Sequence, residues 1–389
     1  MKIGIDITPL QNGHCRRGVG EYARNLLVSL LEADQQNEYV FFGYPGEAPD
    51  VFDSLSNFNL VQAGPDGDDG IWRRLKWHQY TMPRLASRFN LDVIHLLVQS
   101  FDVNIPIYRP AKMVVTIHDL KALLFPKIYL NNPSKRISYK VMINFAKKAD
   151  HIITDSCHSK NDIVNKLRVS DERVSVIPLA VDPYFYQSNR DGQEDSGLTS
   201  KQYGLEKEFI LFVGAIEPSK NIDALLSVYE QLVRQGRSEQ LVLVGVQDPS
   251  YFKDLQNRFG YLFGTSIRFL DFIPKRDLRA LYRLAKFFVY PSLYEGFGLP
   301  VLEALASGTP VITSNASSVP EVTGEAAILV DPLDLDLLQE KMVELCEDEN
   351  ARSALATTGV ARAREFSWAR CASQTAEVYQ SLARGEVAA

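Results

Sequence analysis

Short runs of β-branched and aromatic residues recur along the chain, separated by longer stretches whose apolar positions fall at helical spacing. KIGIDIT at 2–8, EYVFFGY at 38–44, LDVIHLL at 91–97, KMVVTIHDL at 112–120 and HIITDS at 151–156 are the runs of the first half. Such runs are buried on both faces, and alternation with helices predicts a parallel sheet flanked by helices on both sides. The polar stretch QSNRDGQEDSGLTS at 187–200 interrupts the rhythm and reads as a flexible linker. It resumes with FILFVGA, the helical NIDALLSVYEQLVRQG, then LVLVG, SIRFLDFI, KFFVYPS, PVITS and AAILV. The pattern therefore predicts an N-terminal Rossmann-like domain over 1–186, a linker over 187–200 and a second Rossmann-like domain over 201–367. The tail FSWARCASQTAEVYQSLA has apolar positions near Trp368, Ala372, Val378 and Leu382, an amphipathic helix able to pack on either domain.

Length agrees with this division, since 389 residues exceed one ordinary core and domains run to about 100–200 residues. A formal net charge of −6 excludes a molecule-wide nucleic-acid surface. The opening strand lacks the basic and apolar regions of a secretory signal, and no apolar run approaches the roughly 18–20 residues that cross a bilayer. A cytoplasmic protein is expected. Cys15, Cys157, Cys346 and Cys371 are scattered, as reduced thiols would be, without the spacing of a disulfide frame or zinc site.

In open parallel sheets, ligands bind beyond the carboxyl ends of the strands. The richest such segment is PSLYEGFGLPVLEALASGTPVITS at 291–314, in which a strand end, a glycine loop and a helix opening at Leu299–Pro300 follow one another. Gly296 and Gly298 let backbone N–H groups face an anion, with Phe297 and Leu299 in the same loop. Glu295 and Glu303 place carboxylates in the loop and in the helix, able to hold sugar or ribose hydroxyls. A plain helix-capping loop with two surface glutamates reads equally well. In FILFVGAIEPSKN, Lys220 stands at a helix start, where a cation suits a diphosphate, although an isolated turn lysine is more often only solvated. Gly18 and Gly20 stand just before a helix, but the full G-x-G-x-x-G is absent because position 23 is Ala, which leaves NAD binding as a minor alternative. His118 and Asp119 leave the sheet after a buried strand, although a lone strand-end histidine is more often structural. The acidic turns at Asp66–Asp69 and at Asp334 and Asp336 read as solvated loops rather than metal sites.

The 291–314 segment resembles the diagnostic motif of family 4 of the retaining glycosyltransferases, two glutamates separated by seven residues that include Gly-Phe-Gly. KWHQYTMPR, ADHIITDSCHSKNDI, VSVIPLAVDPYF, IRFLDFIPKRDLRALY and the FSW tail extend the resemblance over nearly the whole chain. It implies two Rossmann-like domains facing across a cleft in the GT-B arrangement, with the last helix crossing back to the first domain (368–389). It also implies Glu295 near the donor sugar and Glu303 on the ribose. Lys220 would take the diphosphate, the Phe272–Ile273 turn the base, the Gly18–Gly20 loop the diphosphate and acceptor, and His118 the sugar. An arginine usual beside the lysine is replaced here by Ala215 and Ser219, which weakens the implied diphosphate clamp.

The implied reaction is transfer with retention from a nucleotide sugar, without a metal or other cofactor, to a glycan or lipid-linked glycan. The wording is closest to bacterial mannosyl- and rhamnosyltransferases of surface-polysaccharide assembly, which favours GDP-mannose over UDP or dTDP sugars. A nucleotide-sugar epimerase, an NAD-dependent oxidoreductase and a non-catalytic carbohydrate-binding scaffold are the competing classes. SKRISYKVMINFAKKADH at 134–151, with Ile137, Val141, Ile143 and Phe145, is basic enough to touch the anionic inner face of a plasma membrane, or else packs on its sheet with lysines in water.

Overall fold

The computed structural model describes residues 1–11, 18–46, 49–54, 58–63, 76–98, 106–186, 199–205 and 208–385. They form two compact units, Met1–Leu179 with Ser367–Ala389, and Ala180–Phe366.

The first unit is built on a seven-stranded sheet ordered β3-β2-β1-β4-β5-β6-β7. Its strands are β1 Lys2–Asp6, β2 Glu38–Gly43, β3 Phe58–Gln62, β4 Val93–Leu96, β5 Lys112–Thr116, β6 His151–Thr154 and β7 Val174–Val176. Every pairing is parallel. Alternate side chains of a strand point to opposite faces, and here both faces are covered, so Val114 and Val115 are equally buried. The strand order turns back between β1 and β4, so a crevice opens beyond their carboxyl ends. The final helix, Trp368–Arg384, belongs to this unit and packs on the helix Gly18–Ala33. Ser367 caps it by accepting from the Arg370 N–H at 3.1 Å. The crossing-back of the tail is thus as expected.

The second unit carries a six-stranded sheet ordered β10-β9-β8-β11-β12-β13. These strands are β8 Phe209–Val213, β9 Gln240–Val244, β10 Ile267–Leu270, β11 Phe287–Tyr290, β12 Val311–Ser314 and β13 Ile328–Val330, again all parallel. Its order reverses between β8 and β11. Where β8 and β9 end, their backbones approach so closely that a Cβ at Gly245 would lie 2.1 Å from the Gly214 carbonyl oxygen.

Two boundaries differ from the sequence reading. Residues 180–186 belong to the second unit, because Lys275 Nζ donates to Asp182 Oδ2 at 2.5 Å and Arg279 both stacks on the Tyr184 ring at 3.9 Å and donates to its carbonyl at 3.1 Å. Most of the expected linker, 187–198, lies outside the described residues. Gly18 and Gly20 do not precede their helix but form its first turn, with Gly20 buried.

Candidate functional site

The loops that follow β8 and β11 lie at the reversal point of the second sheet, and they bring together residues 75 positions apart. After β8 the chain makes a short turn over Pro218–Lys220, passes Asn221 at φ 56° and enters the helix Ile222–Arg234. Lys220 Nζ donates to Glu295 Oε1 at 2.6 Å, and both side chains are 10% exposed. The ammonium also lies 5.5 Å from the centre of the Tyr290 ring. Leu293 N–H donates to the Ser219 carbonyl at 2.9 Å, tying the two loops through their backbones.

Glu295 is held through its main chain as well. Its N–H donates to Ser317 Oγ at 2.8 Å, while Ser318 Oγ donates to the carbonyls of Glu295 at 3.0 Å and Phe297 at 2.9 Å. Gly296 and Phe297 are buried, and Gly298 turns the chain at φ 113° into the helix Leu299–Ala306. A Cβ at Gly298 would find its nearest neighbours 3.9 Å away, so the backbone conformation, not lack of room, calls for glycine. Within that helix Glu303 Oε2 accepts from the Tyr282 hydroxyl at 2.9 Å. Burial, reinforced by the Glu303 charge, holds the Tyr282 pKa well above its ordinary value, so it remains a donor. Ile273 is buried in the turn after β10, next to Phe272, which is 57% exposed.

In the first unit, His118 stands two residues beyond β5 and Asp155 one beyond the neighbouring β6. His118 Nδ1 donates to Asp155 Oδ2 at 2.7 Å, its backbone carbonyl accepts from Ser159 Oγ at 3.1 Å, and Tyr22 presents its ring edge-on at 4.8 Å. Burial opposes the imidazolium. The Asp155 carboxylate outweighs it, with help from Asp119 and the Leu97 carbonyl, and raises the His118 pKa above its ordinary value. Behind it a buried chain runs from the Tyr22 hydroxyl through Thr116 Oγ1 at 2.9 Å and His95 Nε2 at 2.8 Å to Tyr379, whose hydroxyl meets His95 Nδ1 at 2.6 Å. Burial, and then His118, push the His95 pKa down to about 3, so this second imidazole is neutral. At the end of β1, Asp6 Oδ2 meets His78 Nε2 at 3.1 Å, and both residues are buried.

Asp155, Tyr22, Tyr282, Ser317, Ser318 and the Asp6–His78 pair were not foreseen. For Asp155 the signal was present, a carboxylate one residue past a strand. Lys220 was expected to act alone at a helix start, but it is engaged with Glu295. Glu295 is paired with Lys220, and Glu303 with the Tyr282 hydroxyl. Asp334 caps the helix Leu335–Glu347 by accepting from the Leu337 N–H at 2.9 Å, whereas Asp66–Asp69 and Cys15 lie outside the described residues. Cys157 is exposed, and Cys346 and Cys371 are buried. The basic helix Pro133–Ala146 does not gather Ile137, Val141, Ile143 and Phe145 on one face: Ile143 is buried and Phe145 packs against the core, while Ile137 is 65% and Val141 47% exposed. No helix among the described residues is long and apolar enough to cross a membrane.

Comparison with known proteins agrees with this layout. Residues 16–185 match the model "Glycosyltransferase Family 4" and residues 198–362 match "Glycosyl transferases group 1". The O-antigen chain mannosyltransferase B of Escherichia coli is 32% identical over 94% of this chain and 96% of its own length. The serotype-specific mannosyltransferase WbdA of Escherichia coli is 34% identical over 73% of this chain, but over only 35% of its own longer chain. The solved structure of HepE from Anabaena in complex with UDP and glucose superposes with a TM-score of 0.74 at 20% identity, covering 98% of this chain and all (100%) of that one.

Proposed function

Because the chain belongs to the glycosyltransferase family that joins a family 4 N-terminal half to a group 1 C-terminal half, we propose that it transfers mannose from GDP-mannose to a growing surface-polysaccharide glycan, carried on lipid, with retention of anomeric configuration and without a metal. The observation that carries the reading is the Lys220–Glu295 pair at the reversal point of the second sheet. A buried ammonium beside a helix start is suited to a leaving diphosphate, and the carboxylate it steadies is suited to the sugar being transferred. Positive charge on the diphosphate then comes from Lys220 and from the N–H groups of the Gly296–Leu299 loop, which is the role a divalent cation would otherwise fill.

Glu303 holds the ribose, the turn at Ile273 receives the base, and Glu295 and His118 address the transferred sugar. Glu295 orients the donor, and the leaving phosphate oxygen takes the proton of the acceptor hydroxyl as the glycosidic bond forms on the same face. The GDP-mannose assignment leans on the name of the Escherichia coli mannosyltransferase. Titration with GDP, UDP, dTDP and NAD in the presence of EDTA tests it: GDP is expected to bind most tightly. A preference for UDP or dTDP would change the donor, a requirement for added metal would remove the metal-free reading, and binding of NAD alone would overturn the assignment. Glu303→Ala is expected to weaken nucleoside diphosphate binding by about tenfold, the worth of a charged hydrogen bond of about 1.5 kcal/mol; unchanged affinity would remove the ribose role.

The exposed Ile137 and Val141 lie one helical turn apart, among exposed Lys135, Arg136 and Lys140. This pattern supports a peripheral contact with an anionic bilayer, where a lipid-linked acceptor would reside. Co-sedimentation with vesicles containing phosphatidylglycerol should fall at least several-fold in Ile137→Ser/Val141→Ser, and equal sedimentation of both proteins would dismiss the contact.

A further inference from the structure

His118 and Asp155 enter one end of the first sheet from neighbouring strands, and the register that pairs Thr116 with Ile153 sets them side by side. A carboxylate only accepts, so the 2.7 Å contact places a proton on His118 Nδ1. Asp155 is 2% exposed and keeps the ring from turning, while Tyr22 closes its flank. The far side of the ring differs. Nε2 is buried without a properly directed hydrogen bond to a described residue, although the Leu97 carbonyl also acts on the ring. An imidazole fixed at one nitrogen and left unsatisfied at the other is a group prepared for a ligand.

We propose that Asp155 is the positioning residue of this site: by accepting the Nδ1 proton it fixes the ring and its tautomer, so that His118 presents Nε2 to an oxygen of the transferred sugar. This rests on the reading that His118 addresses the sugar. With Nδ1 occupied, the neutral ring can only accept at Nε2, and the imidazolium can only donate there.

The charges facing His118 are Asp155 and Asp119, and the neutral His95 is the titratable group on its other side; Tyr22 packs against it, and Cys371 approaches Asp155 from the final helix. Because Asp155 raises the His118 pKa above the ordinary histidine value, the donating imidazolium persists to a higher pH than in a free histidine. It is lost as pH rises through the folded value. Removing the carboxylate should bring that loss to lower pH.

The test uses the full chain labelled with 15N-histidine. In the wild type, the His118 signals should report a proton on Nδ1 in the neutral form and a pKa above that of an ordinary histidine. A neutral Nε2–H tautomer, or a pKa at or below the ordinary value, overturns the proposal without any variant. Asp155→Asn should lower that pKa and reduce kcat for mannosyl transfer by about tenfold to a hundredfold, within the range of acid–base and hydrogen-bond assistance, with the alkaline limb of the rate profile moving to lower pH. The Kd for GDP should change less than twofold, and Asp155→Glu should recover part of the rate. Unchanged His118 signals and rate in a folded Asp155→Asn protein would refute the proposal. If instead His118→Ala transfers mannose at the wild-type rate, the functional reading of His118 fails, even where the spectra report the pair.

Discussion

Lys220→Ala is expected to lower kcat/KM for sugar transfer by about 10²–10³-fold, the loss typical of removing one preorganised charge from a developing oxyanion. It should also cost about 3 kcal/mol of stability in the second unit, because it leaves the Glu295 carboxylate buried and unpaired. The two effects have different origins and can be separated. Replacing both partners, in Lys220→Met/Glu295→Met, removes the uncompensated charge and should restore most of the unfolding midpoint while activity stays absent. Glu295→Gln alone should keep the loop in place through Ser317 and Ser318, which grip its main chain and not its carboxylate, and reduce kcat more than nucleotide affinity. Urea unfolding of the isolated variants, followed beside donor turnover, checks both. A Lys220→Ala protein as stable as the wild type would mean that water already satisfies the carboxylate, and a double variant no more stable than either single one would remove the argument from burial.

The same pair marks the limit of what the chain could disclose by inspection. Strands β5, β8 and β11 were legible because both of their faces are covered, which leaves almost unbroken apolar runs such as Phe209–Val213, all five residues buried. Lys220 and Glu295 were each found in the loop that follows a strand. Their contact was not, since it depends on β8 lying beside β11, and periodicity carries no strand order. Asp155 escaped for the same reason: its partner arrives from β5, 37 residues earlier. Tyr282 and Tyr379 were hidden differently, as aromatic residues in apolar helical patterns whose hydroxyls alone carry the polar contact. In the helix Pro133–Ala146 four apolar residues were named without being assigned to faces, and the buried Met142 and Ala146 were passed over. Ile137 and Val141 are four apart and share a face, whereas Ile143 falls with the buried Tyr139, Met142 and Ala146.

A chain ending at Phe366 is expected to lose the folded first unit while the second unit stays intact. The final helix buries Trp368, Cys371, Ala372, Thr375, Ala376, Val378 and Tyr379. At about 1.5–3 kcal/mol for each large apolar side chain and less for the small ones, its removal approaches the whole stability of about 5–15 kcal/mol that a domain possesses. Polar consequences add to this. His95 would keep Thr116 but lose the Tyr379 hydroxyl, and the face of the helix Gly18–Ala33 now covered would meet water. Residues 180–366 make their own sheet and helices and lose none of these contacts. Limited proteolysis of the truncated chain should therefore digest residues 1–179 and spare a fragment close to 180–366, with hydrogen exchange in β8 and β11 unchanged. Tyr379→Phe in the full chain offers the graded version, costing about 1–3 kcal/mol for the buried imidazole left half-satisfied and leaving the second unit's exchange untouched. If residues 1–179 kept native protection after truncation, the helix would be an accessory to a sheet that holds its own core, and the Tyr379–His95 contact would be a consequence of the fold and not one of its supports.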